Sequence, residues 1–553
     1  MLTPHDILGL NGSIARRLER YELRQEQLDM AEAVNLAFME RRHLAVEAGT
    51  GVGKSFAYLI PAILQTAGSQ NNAKTTFEHP QPDNPHSAIL QSDIPQSGVP
   101  KPGVLKSDVL KPSGSNFNNL NSNSKDINSN DLDFNELNSN ELNSKHLESD
   151  DDDPFYGEMP TRSFEAERLD PNRELQQLAA KSTSGEPVFI PRAVISTHTI
   201  SLQEQIIEKD IPFLRSVLPF EFTAVLVKGR SNYLCLRRLH AAQQKQGVLF
   251  EERRLRELQR LLDWSQETED GSKSGLSPEP DWDIWNEICC EMGNCLGKKC
   301  LHFGQCFYAQ ARRRIANAQI LVVNHALLFS DLAVRMQGGS ILPLYHLLVF
   351  DEAHTMEQVA ADHLGLSVTQ GQIEYNLNRL YNPRTQRGLL TGQHLSENVS
   401  KSLIDSAQQA VDECYYSAEN FFLDLESWLH QHPGGNGRVR AARIVNNGIS
   451  GSIRKLNERL RDLLERIKNP DERQELRAAR ERMATLSGNI NVWVIQGLEE
   501  ESVYWLESTH SGRGRARISI NAVPIDIGPI LREQLFGKIP SVVMTSATLS
   551  TGK

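Results

Sequence analysis

The sequence is poor in cysteine and has no long apolar run. Seven cysteines in 553 residues are too few for a disulfide framework. The N-terminal stretch "MLTPHDILGLNGSIARRLERYELRQ" lacks the continuous apolar segment of a signal peptide, and apolar runs such as "ILVVNHALLF" are far shorter than a membrane span. We therefore expect a cytoplasmic protein of bacterial type, with no disulfide scaffold and no membrane partner.

The acidic charge is concentrated in one segment. The formal net charge is −11, but residues 68–185 alone hold 10 Lys+Arg against 19 Asp+Glu, which leaves −2 for the rest of the chain. This segment is rich in Asn, Ser, Pro and Asp and contains the near-repeat "NELNSNELNS". Such a composition buries too little apolar area to offset the entropy of ordering. We expect a disordered insertion at 68–185, so the net charge does not argue against a nucleic-acid partner.

The remaining sequence predicts an α/β protein of more than one domain. The length exceeds that of a single hydrophobic core. Short apolar strands precede helical segments, as in "HLAVEA" before "KSFAYLIPAILQTA" and "AVIST" before "ISLQEQIIEKDIPFL". Residues 355–515 are mostly helical in pattern, with heptad-like stretches such as "IRKLNERLRDLLERIKN".

The stretch "AGTGVGKS", from Ala48 to Ser55, predicts a phosphate-binding loop between a strand and a helix. Its glycines allow backbone N–H groups to surround phosphate oxygens at a helix N-terminus. Lys54 would reach the β- and γ-phosphates, and the Ser55 hydroxyl would bind Mg²⁺. The standard pattern has glycine at the position of Ala48. A glycine turn at a helix cap is the alternative, but the flanking strand and helix favour a nucleotide site.

The stretch "VFDEAH" places Asp351 and Glu352 at the end of an apolar strand. Asp351 can hold Mg²⁺ through water, and Glu352 can polarise the water that attacks the γ-phosphate. Acidic residues also favour an ordinary helix start. The pairing with the phosphate loop makes the chemical interpretation the stronger one.

Five of the seven cysteines lie in one short window, which indicates a metal site. They are Cys289, Cys290, Cys295, Cys300 and Cys306, and the last three have the spacing C-x₄-C-x₅-C. Four thiolates can hold a 4Fe–4S cluster or a zinc ion, and spacing alone leaves both open. Cys414 stands alone in helical sequence, where a small packed hydrophobe is expected.

These motifs together resemble those of superfamily 2 helicases. "AGTGVGKS", "DEAH" and "TSATL" (Thr545 to Leu549) resemble motifs I, II and III, "YELRQEQ" resembles the Q motif, and "STHTISLQEQ" resembles motif Ia. Three further stretches resemble the DinG/XPD-type iron–sulfur helicases, especially the bacterial DinG branch: "LVKGRSNYLCLRR", "CLGKKCLHFGQCFYAQARRRIANAQILVVNHALL" and "PIDIGPILREQLF".

The resemblance implies a domain plan and an activity. It implies a RecA-like P-loop motor domain in 1–67, 186–234, 317–354 and 516–553, an iron–sulfur domain in 235–316, and a mainly helical Arch domain in 355–515. The implied activity is ATP-dependent unwinding of DNA, with 5′ to 3′ movement on single strands and a role in repair or replication. We expect the second RecA-like domain to be absent after "TSATL". Loss of its arginine fingers can cost roughly 10³ to 10⁵ in hydrolysis rate, so we expect weak nucleotide binding and poor unwinding by this chain alone, as in a fragment of a longer protein.

The resemblance also assigns roles to residues. The adenine reader is Gln27, and the other nucleotide-binding residues are Gly49, Thr50, Gly51, Gly53, Lys54 and Ser55. The catalytic residues are Lys54, Asp351, Glu352 and His354, and the coupling residues are Ser546, Ala547 and Thr548. The cluster ligands are Cys235, Cys295, Cys300 and Cys306, while Cys290 stays open as the fourth ligand because it also precedes Cys295 by an x₄ gap. The implied cofactors are ATP, Mg²⁺ and a 4Fe–4S cluster.

The expected partner is single-stranded or forked DNA, bound by a monomer. Thr197 and Thr199 of motif Ia, together with Arg230 and Arg313, are the predicted DNA contacts. Basic residues flank the cysteines, with aromatic residues between them that could stack on bases: Lys228, Arg237, Arg238, Arg312 and Arg314, with Tyr233, Phe307 and Tyr308. A solvated helix face is the alternative for the arginine run. His325 could be a helix cap or a functional residue.

A rival interpretation is a non-catalytic module that binds nucleotide and DNA and uses zinc to stabilise its cysteine domain. The content of iron or zinc separates the two.

Overall fold

A computed structural model describes residues 2–19, 21–49, 52–67, 191–244, 252–391, 395, 399–498, 501–509 and 517–547. The expected insertion at 68–185 lies outside these residues, as do Thr50, Gly51 and Thr548 of the predicted site.

The described residues alternate between strands and helices. The strands, in chain order, are β1 (Leu44–Glu47), β2 (Ala193–Thr197), β3 (Ala224–Leu226), β4 (Ile320–Asn324), β5 (Leu347–Asp351), β6 (Leu366–Thr369), β7 (Arg438–Val439), β8 (Ser502–Thr509), β9 (Arg517–Pro524) and β10 (Ser541–Ser546). The α-helices are α1 (Pro4–Leu8), α2 (Gln25–Met39), α3 (Lys54–Thr66), α4 (Ile200–Gln205), α5 (Ile211–Val217), α6 (Leu236–Gln244), α7 (Glu252–Glu267), α8 (Trp282–Ile288), α9 (Phe307–Asn317), α10 (His325–Met336), α11 (Met356–Leu364), α12 (Gln370–Leu380), α13 (Lys401–Gln431), α14 (Gly448–Arg466), α15 (Pro470–Ile495) and α16 (Gly528–Leu531).

The first sheet is parallel, in the order β1-β10-β5-β2-β4-β3. Strands β2 and β5, "AVIST" and "LLVFD", are buried along their whole length, as expected for a parallel sheet covered by helices on both faces. The prediction of an α/β fold is confirmed. All strands of this sheet come from the four segments predicted for the motor domain, so widely separated parts of the chain meet in one sheet.

The second sheet is antiparallel, in the order β6-β9-β8-β7, and packs with the long helices α13, α14 and α15 in one hydrophobic core. The indole N–H of Trp493, on α15, donates to the carbonyl of Asn521, on β9, at 2.9 Å. The sequence pattern predicts mainly helix here. The long helices do dominate, but the antiparallel sheet was not predicted. The predicted boundary at 516 is also wrong in one respect, because β9 pairs with β6 and β8 rather than with the parallel sheet.

The cysteine region has a small hydrophobic core of its own, built from α6, α7, α8 and α9 around residues such as Leu239, Leu261 and Trp285. It is joined to the helical region by Glu291. Both carboxylate oxygens of Glu291 accept hydrogen bonds from Arg379 of α12 at 3.0 Å, and Arg238 of α6 and Arg482 of α15 also pair with Glu291. Burial raises the pKa of Glu291, but the three guanidinium groups outweigh it and hold the pKa well below its usual range.

Among the described residues, no helix is both long and apolar enough to cross a membrane.

Candidate active site

Three predicted motifs meet at the carboxyl edge of the parallel sheet. The phosphate loop follows β1, the "DEAH" turn follows β5, and Ser546 ends β10, which lies between those two strands. The register places Thr545 beside both Val46 and Asp351. The Ala48 N–H donates to the Ser546 carbonyl at 2.9 Å, so the loop and the "TSATL" stretch are joined directly.

Gly53 shapes the end of the phosphate loop. Its φ of +85° lies in the left-handed region, which favours glycine. The amide Nε2 of the buried Gln27 donates to the Gly53 carbonyl at 2.8 Å. A Cβ at position 53 would lie 2.1 Å from that nitrogen. The Q-motif glutamine therefore contacts the loop itself, and helix α3 begins at the next residue, Lys54.

Lys54 and Glu352 form an ion pair, with 3.0 Å between Lys54 Nζ and Glu352 Oε1. Glu352 has a φ of +57°, an unusual conformation for a residue with a side chain. The turn is stabilised by Thr355, whose N–H and hydroxyl both donate to the Glu352 carbonyl, at 3.1 and 3.0 Å. Left-handed non-glycine residues cluster at functional sites, and this one aims the glutamate at the phosphate loop.

Asp351 is buried and holds two hydrogen bonds. Its Oδ2 accepts from the Tyr58 hydroxyl at 3.0 Å and its Oδ1 from the Glu352 N–H at 3.1 Å. Burial raises the pKa of Asp351, while the Tyr58 hydrogen bond and the Lys54 ammonium lower it. A divalent cation at this carboxylate would offset the cost of burying its charge. The Ser55 hydroxyl lies next to Tyr58 and next to Asp210. Burial raises the pKa of the Asp210 carboxyl, and the hydrogen bond from Ser55 lowers it.

His354 connects the "DEAH" turn to the third motif. Its Nδ1 lies 2.9 Å from Ser546 Oγ and 3.4 Å from Glu352 Oε2. Ala547 follows directly after β10. A change at the phosphates that moves Glu352 or Ser546 would therefore alter the contacts of the same imidazole.

The predicted cluster ligands gather around one region of the cysteine domain. Cys300 and Cys306 each interact electrostatically with both Cys235 and Cys295. Cys290 donates a hydrogen bond to Cys295, which lowers the pKa of Cys295 to about 5 and raises that of Cys290. Within the described ranges, no three His, Cys, Asp or Glu side chains are arranged to hold a single metal ion.

The other two cysteines are placed differently. Cys289 is buried and its main charged neighbours are Arg238 and Glu291. Cys414 is fully buried in the core of the helical region, as expected from the sequence, and burial raises its pKa to about 12.

The predicted DNA contacts differ in their exposure. Thr199 is exposed and caps α4, whereas Thr197 is buried at the end of β2. The Arg230 guanidinium lies over the Tyr308 ring, 4.4 Å from its centroid. Arg313 is exposed and lies over the Phe303 ring, at 5.5 Å.

Two of the flanking arginines are not on the surface. Arg237 and Arg238 are buried and bind Asn294 and the Cys289 carbonyl, respectively. The expectation that they contribute surface charge is therefore wrong, because their guanidinium groups hold the cysteine loop. Arg314, like Arg313, is exposed on α9.

Sequence reasoning missed several residues of the site. Tyr58 lies four positions after Lys54 on α3, so helical spacing could have indicated that both face the same site. Asp210 offers no local signal, because its position beside Ser55 depends on how two helices pack. His325 is not the helix cap, a role taken by Asn324. It is buried against Ser196 Oγ, at 2.7 Å, and burial lowers its pKa to about 4.

Comparisons with known proteins find similarity to DNA helicases. Residues 287–373 match the DEAD_2 family. The chain is 25% identical to the ATP-dependent DNA helicase YoaA of Haemophilus influenzae, over 99% of this chain and 63% of that protein. It is 28% identical to YoaA of Escherichia coli, over 65% of this chain and 53% of the relative, and 32% identical to the ATP-dependent helicase DinG of Mycobacterium tuberculosis, over 40% and 35%.

The chain thus spans between about a third and less than two thirds of the length of these relatives. Taken with the motifs gathered at the sheet edge, the matches confirm the resemblance to DinG-type superfamily 2 helicases.

Proposed function

We propose that the protein is an ATP-dependent DNA helicase that couples ATP hydrolysis to movement along single-stranded DNA and to duplex unwinding. The observation that carries the proposal is that Lys54, Glu352 and Ser546 meet at one edge of the parallel sheet. Lys54 is paired with Glu352, and Ser546 contacts both His354 and Ala48. The resemblance supports 5′ to 3′ movement and a role in DNA repair or replication.

The hydrolysis chemistry follows from these positions. Backbone N–H groups of the loop and the Lys54 ammonium would bind the phosphates, while Ser55 directly and Asp351 through water would hold Mg²⁺. Glu352 orients and polarises the attacking water. Because Lys54 and Glu352 are 3.0 Å apart, the γ-phosphate and the water would be held by neighbouring side chains.

Coupling to DNA would pass through His354. Its contacts with Ser546 and Glu352 connect the water-polarising residue to the third motif. Motif Ia follows β2, which is paired with β5, so a shift of the "DEAH" turn can be transmitted through a rigid sheet. We propose that Gln27 also reads adenine, from its position on α2 beside the phosphate loop.

We further propose that 235–316 is an iron–sulfur domain and 355–515, extended by β9, an Arch domain. The proposal of a 4Fe–4S cluster is supported by the electrostatic interactions among the predicted ligands, since Cys300 and Cys306 each interact with both Cys235 and Cys295. A cluster binds one thiolate at each iron, whereas zinc requires four sulfurs about 2.3 Å from one point. When bound, the cluster would cross-link the start of α6 to the loop before α9.

DNA binding is proposed for the exposed side chains near the cysteines and motif Ia. Arg313 and Thr199 are available to phosphates, and the neighbouring aromatic rings offer stacking surfaces. Binding of this kind is sequence-tolerant and weakens as salt is raised.

The test is phosphate release from ATP with and without single-stranded DNA, measured on the full chain and on three variants. Glu352→Gln should bind ATP–Mg²⁺ but lose at least about a hundredfold in hydrolysis, and Lys54→Ala should lose nucleotide binding. Glu357→Gln, an exposed acidic residue on α11, is the matched control. Hydrolysis by Glu352→Gln at the wild-type rate would overturn the proposal.

The rival module gives a different result in the same experiment. Because this chain alone is expected to hydrolyse ATP slowly, low phosphate release is not sufficient to identify the module. A protein that binds nucleotide and DNA, releases no more phosphate than Glu352→Gln and holds zinc in place of iron would be the non-catalytic module.

A further inference from the structure

Helix α3, which carries the phosphate-loop residues, packs against an interrupted helix. Between α4 and α5, residues Ile206–Asp210 form a π-helical turn, in which the Ile211 N–H donates to the Ile206 carbonyl. Pro212 explains the interruption, because it has no N–H to donate and its ring clashes with the carbonyl four residues earlier. Such turns occur frequently at functional sites. The rings of Phe56 and Phe213 stack at 5.6 Å and hold the two helices together.

The last residue of this turn, Asp210, faces the nucleotide site. Its carboxylate lies next to the Ser55 hydroxyl and interacts electrostatically with Tyr58. The Asp210 Oδ2 atom is buried and has no hydrogen-bond partner in the part of the chain that the structure describes. A buried carboxylate oxygen without a partner costs free energy. A conformation of this kind is expected where a ligand supplies the missing partner.

The neighbouring carboxylate, Asp351, is oriented by other donors. Both oxygens of Asp351 already accept hydrogen bonds, from Tyr58 and from the Glu352 N–H. A serine hydroxyl that binds Mg²⁺ through its oxygen must direct its proton elsewhere. Mg²⁺ also keeps several of its waters, and these need acceptors. Asp210 is placed to accept from the Ser55 hydroxyl and from such a water.

We propose that Asp210 is a positioning residue of the ATP–Mg²⁺ site, which orients the Ser55 hydroxyl and accepts a hydrogen bond from a water of the Mg²⁺ shell. The inference rests on the proposed nucleotide site and deepens it. It assigns a function to the π-helical turn, which brings a carboxylate from the segment after motif Ia to the phosphate loop.

The test is the affinity for a fluorescent ATP analogue, measured with Mg²⁺ and with EDTA. Asp210→Asn should weaken binding by about tenfold with Mg²⁺, the loss of one charge-assisted hydrogen bond, and leave binding in EDTA unchanged. It should also raise the Mg²⁺ concentration at half-maximal binding. Asp210→Ala should give the same result. Glu208→Gln, an exposed acidic residue of the same turn, is the matched control and should change neither affinity.

Thermal unfolding in EDTA without nucleotide separates positioning from a structural role. Asp210→Asn removes a buried charge with an unsatisfied oxygen, so its melting temperature should equal or exceed that of the wild type. A lower melting temperature, or Asp210→Asn affinities equal to those of Glu208→Gln under both conditions, would overturn the inference. Absence of Mg²⁺-dependent nucleotide binding in the wild type would instead overturn the proposed function.

Discussion

Lys54 Nζ lies 3.0 Å from Glu352 Oε1, so the lysine that would bind phosphates is paired with the glutamate that would polarise water. Both side chains are mostly shielded, with 12% and 26% of their surface exposed. Phosphate oxygens must therefore compete with the glutamate for the ammonium group.

This competition predicts opposite effects of Glu352→Gln on binding and on catalysis. The neutral amide is a weaker competitor for Lys54, so the affinity for ATP should rise by about fivefold, the scale of a partly exposed ion pair, while hydrolysis is lost. Binding of the fluorescent analogue to Glu352→Gln and to the control Glu357→Gln measures this. A weaker affinity in Glu352→Gln would show that the ion pair helps to shape the site rather than competing for it.

Gly53→Ala should weaken nucleotide binding by at least about tenfold. A side chain at a φ of +85° costs about 1–2 kcal/mol, and its Cβ would displace Gln27 Nε2, which is 2.1 Å away. The matched control is Gly451→Ala on α14, where a Cβ meets no atom within 4 Å. Unchanged affinity in Gly53→Ala would mean that the contact between Gln27 and the loop is dispensable.

Glu291→Gln should destabilise the contact between the cysteine region and the helical region. Three guanidinium groups would lose their shared counter-charge in a buried place, which we expect to lower the free energy of unfolding by about 3–5 kcal/mol. Urea unfolding followed by tryptophan fluorescence measures the loss. Glu279→Gln breaks only an exposed pair with Lys273, and we expect a change below about 1 kcal/mol. Equal effects of the two variants would contradict the role of Glu291.

Acidification should destabilise the protein partly through His363. This imidazole is 7% exposed and burial lowers its pKa from 6.5 to about 4. The unfolded chain therefore takes up a proton that the folded chain does not, and stability falls as the pH drops from about 6.5 to 4. The loss reaches about 3 kcal/mol at pH 4.

Melting temperatures between pH 7 and pH 4.5 test this prediction. His363→Gln should show a shallower decline than the wild type below pH 6.5, and the same slope above it. His430→Gln, at an exposed position on α13, is the control. Identical slopes of melting temperature against pH for all three proteins would show that His363 does not contribute to the loss of stability in acid.

Metal content should depend on particular cysteines. Anaerobically purified protein should contain about four irons per chain with a broad visible absorbance, lost in Cys235→Ser and Cys300→Ser but kept in Cys290→Ser. Cys414→Ala, in the helical core, is the control for general damage. Loss of iron and absorbance in Cys290→Ser, with both retained in Cys235→Ser, would identify Cys290 rather than Cys235 as the fourth ligand. Zinc without visible absorbance would favour the rival module.

The sequence was informative where chemistry depends on consecutive residues. The phosphate loop, the "DEAH" turn and "TSATL" could be predicted as one site because their roles are encoded in short motifs, and the resemblance ordered them. Asp210 and Glu291 could not be found in this way. Each acts through a partner from a distant segment, and no local periodicity reports which helices pack together. The antiparallel sheet was missed for a similar reason, since its strands alternate with long helices that dominate the pattern.

The position of β10 has a consequence for biosynthesis. His43, just before β1, accepts a hydrogen bond at Nδ1 from the Val542 N–H, 499 residues later. At about 5–20 residues per second, β1 must wait on the order of 25–100 s for its neighbour to leave the ribosome. During that interval its pairing edge is open to other chains. Long-range parallel pairing of this kind folds slowly, so the yield of active protein should depend on chaperones more than the modest size of its sheet would suggest.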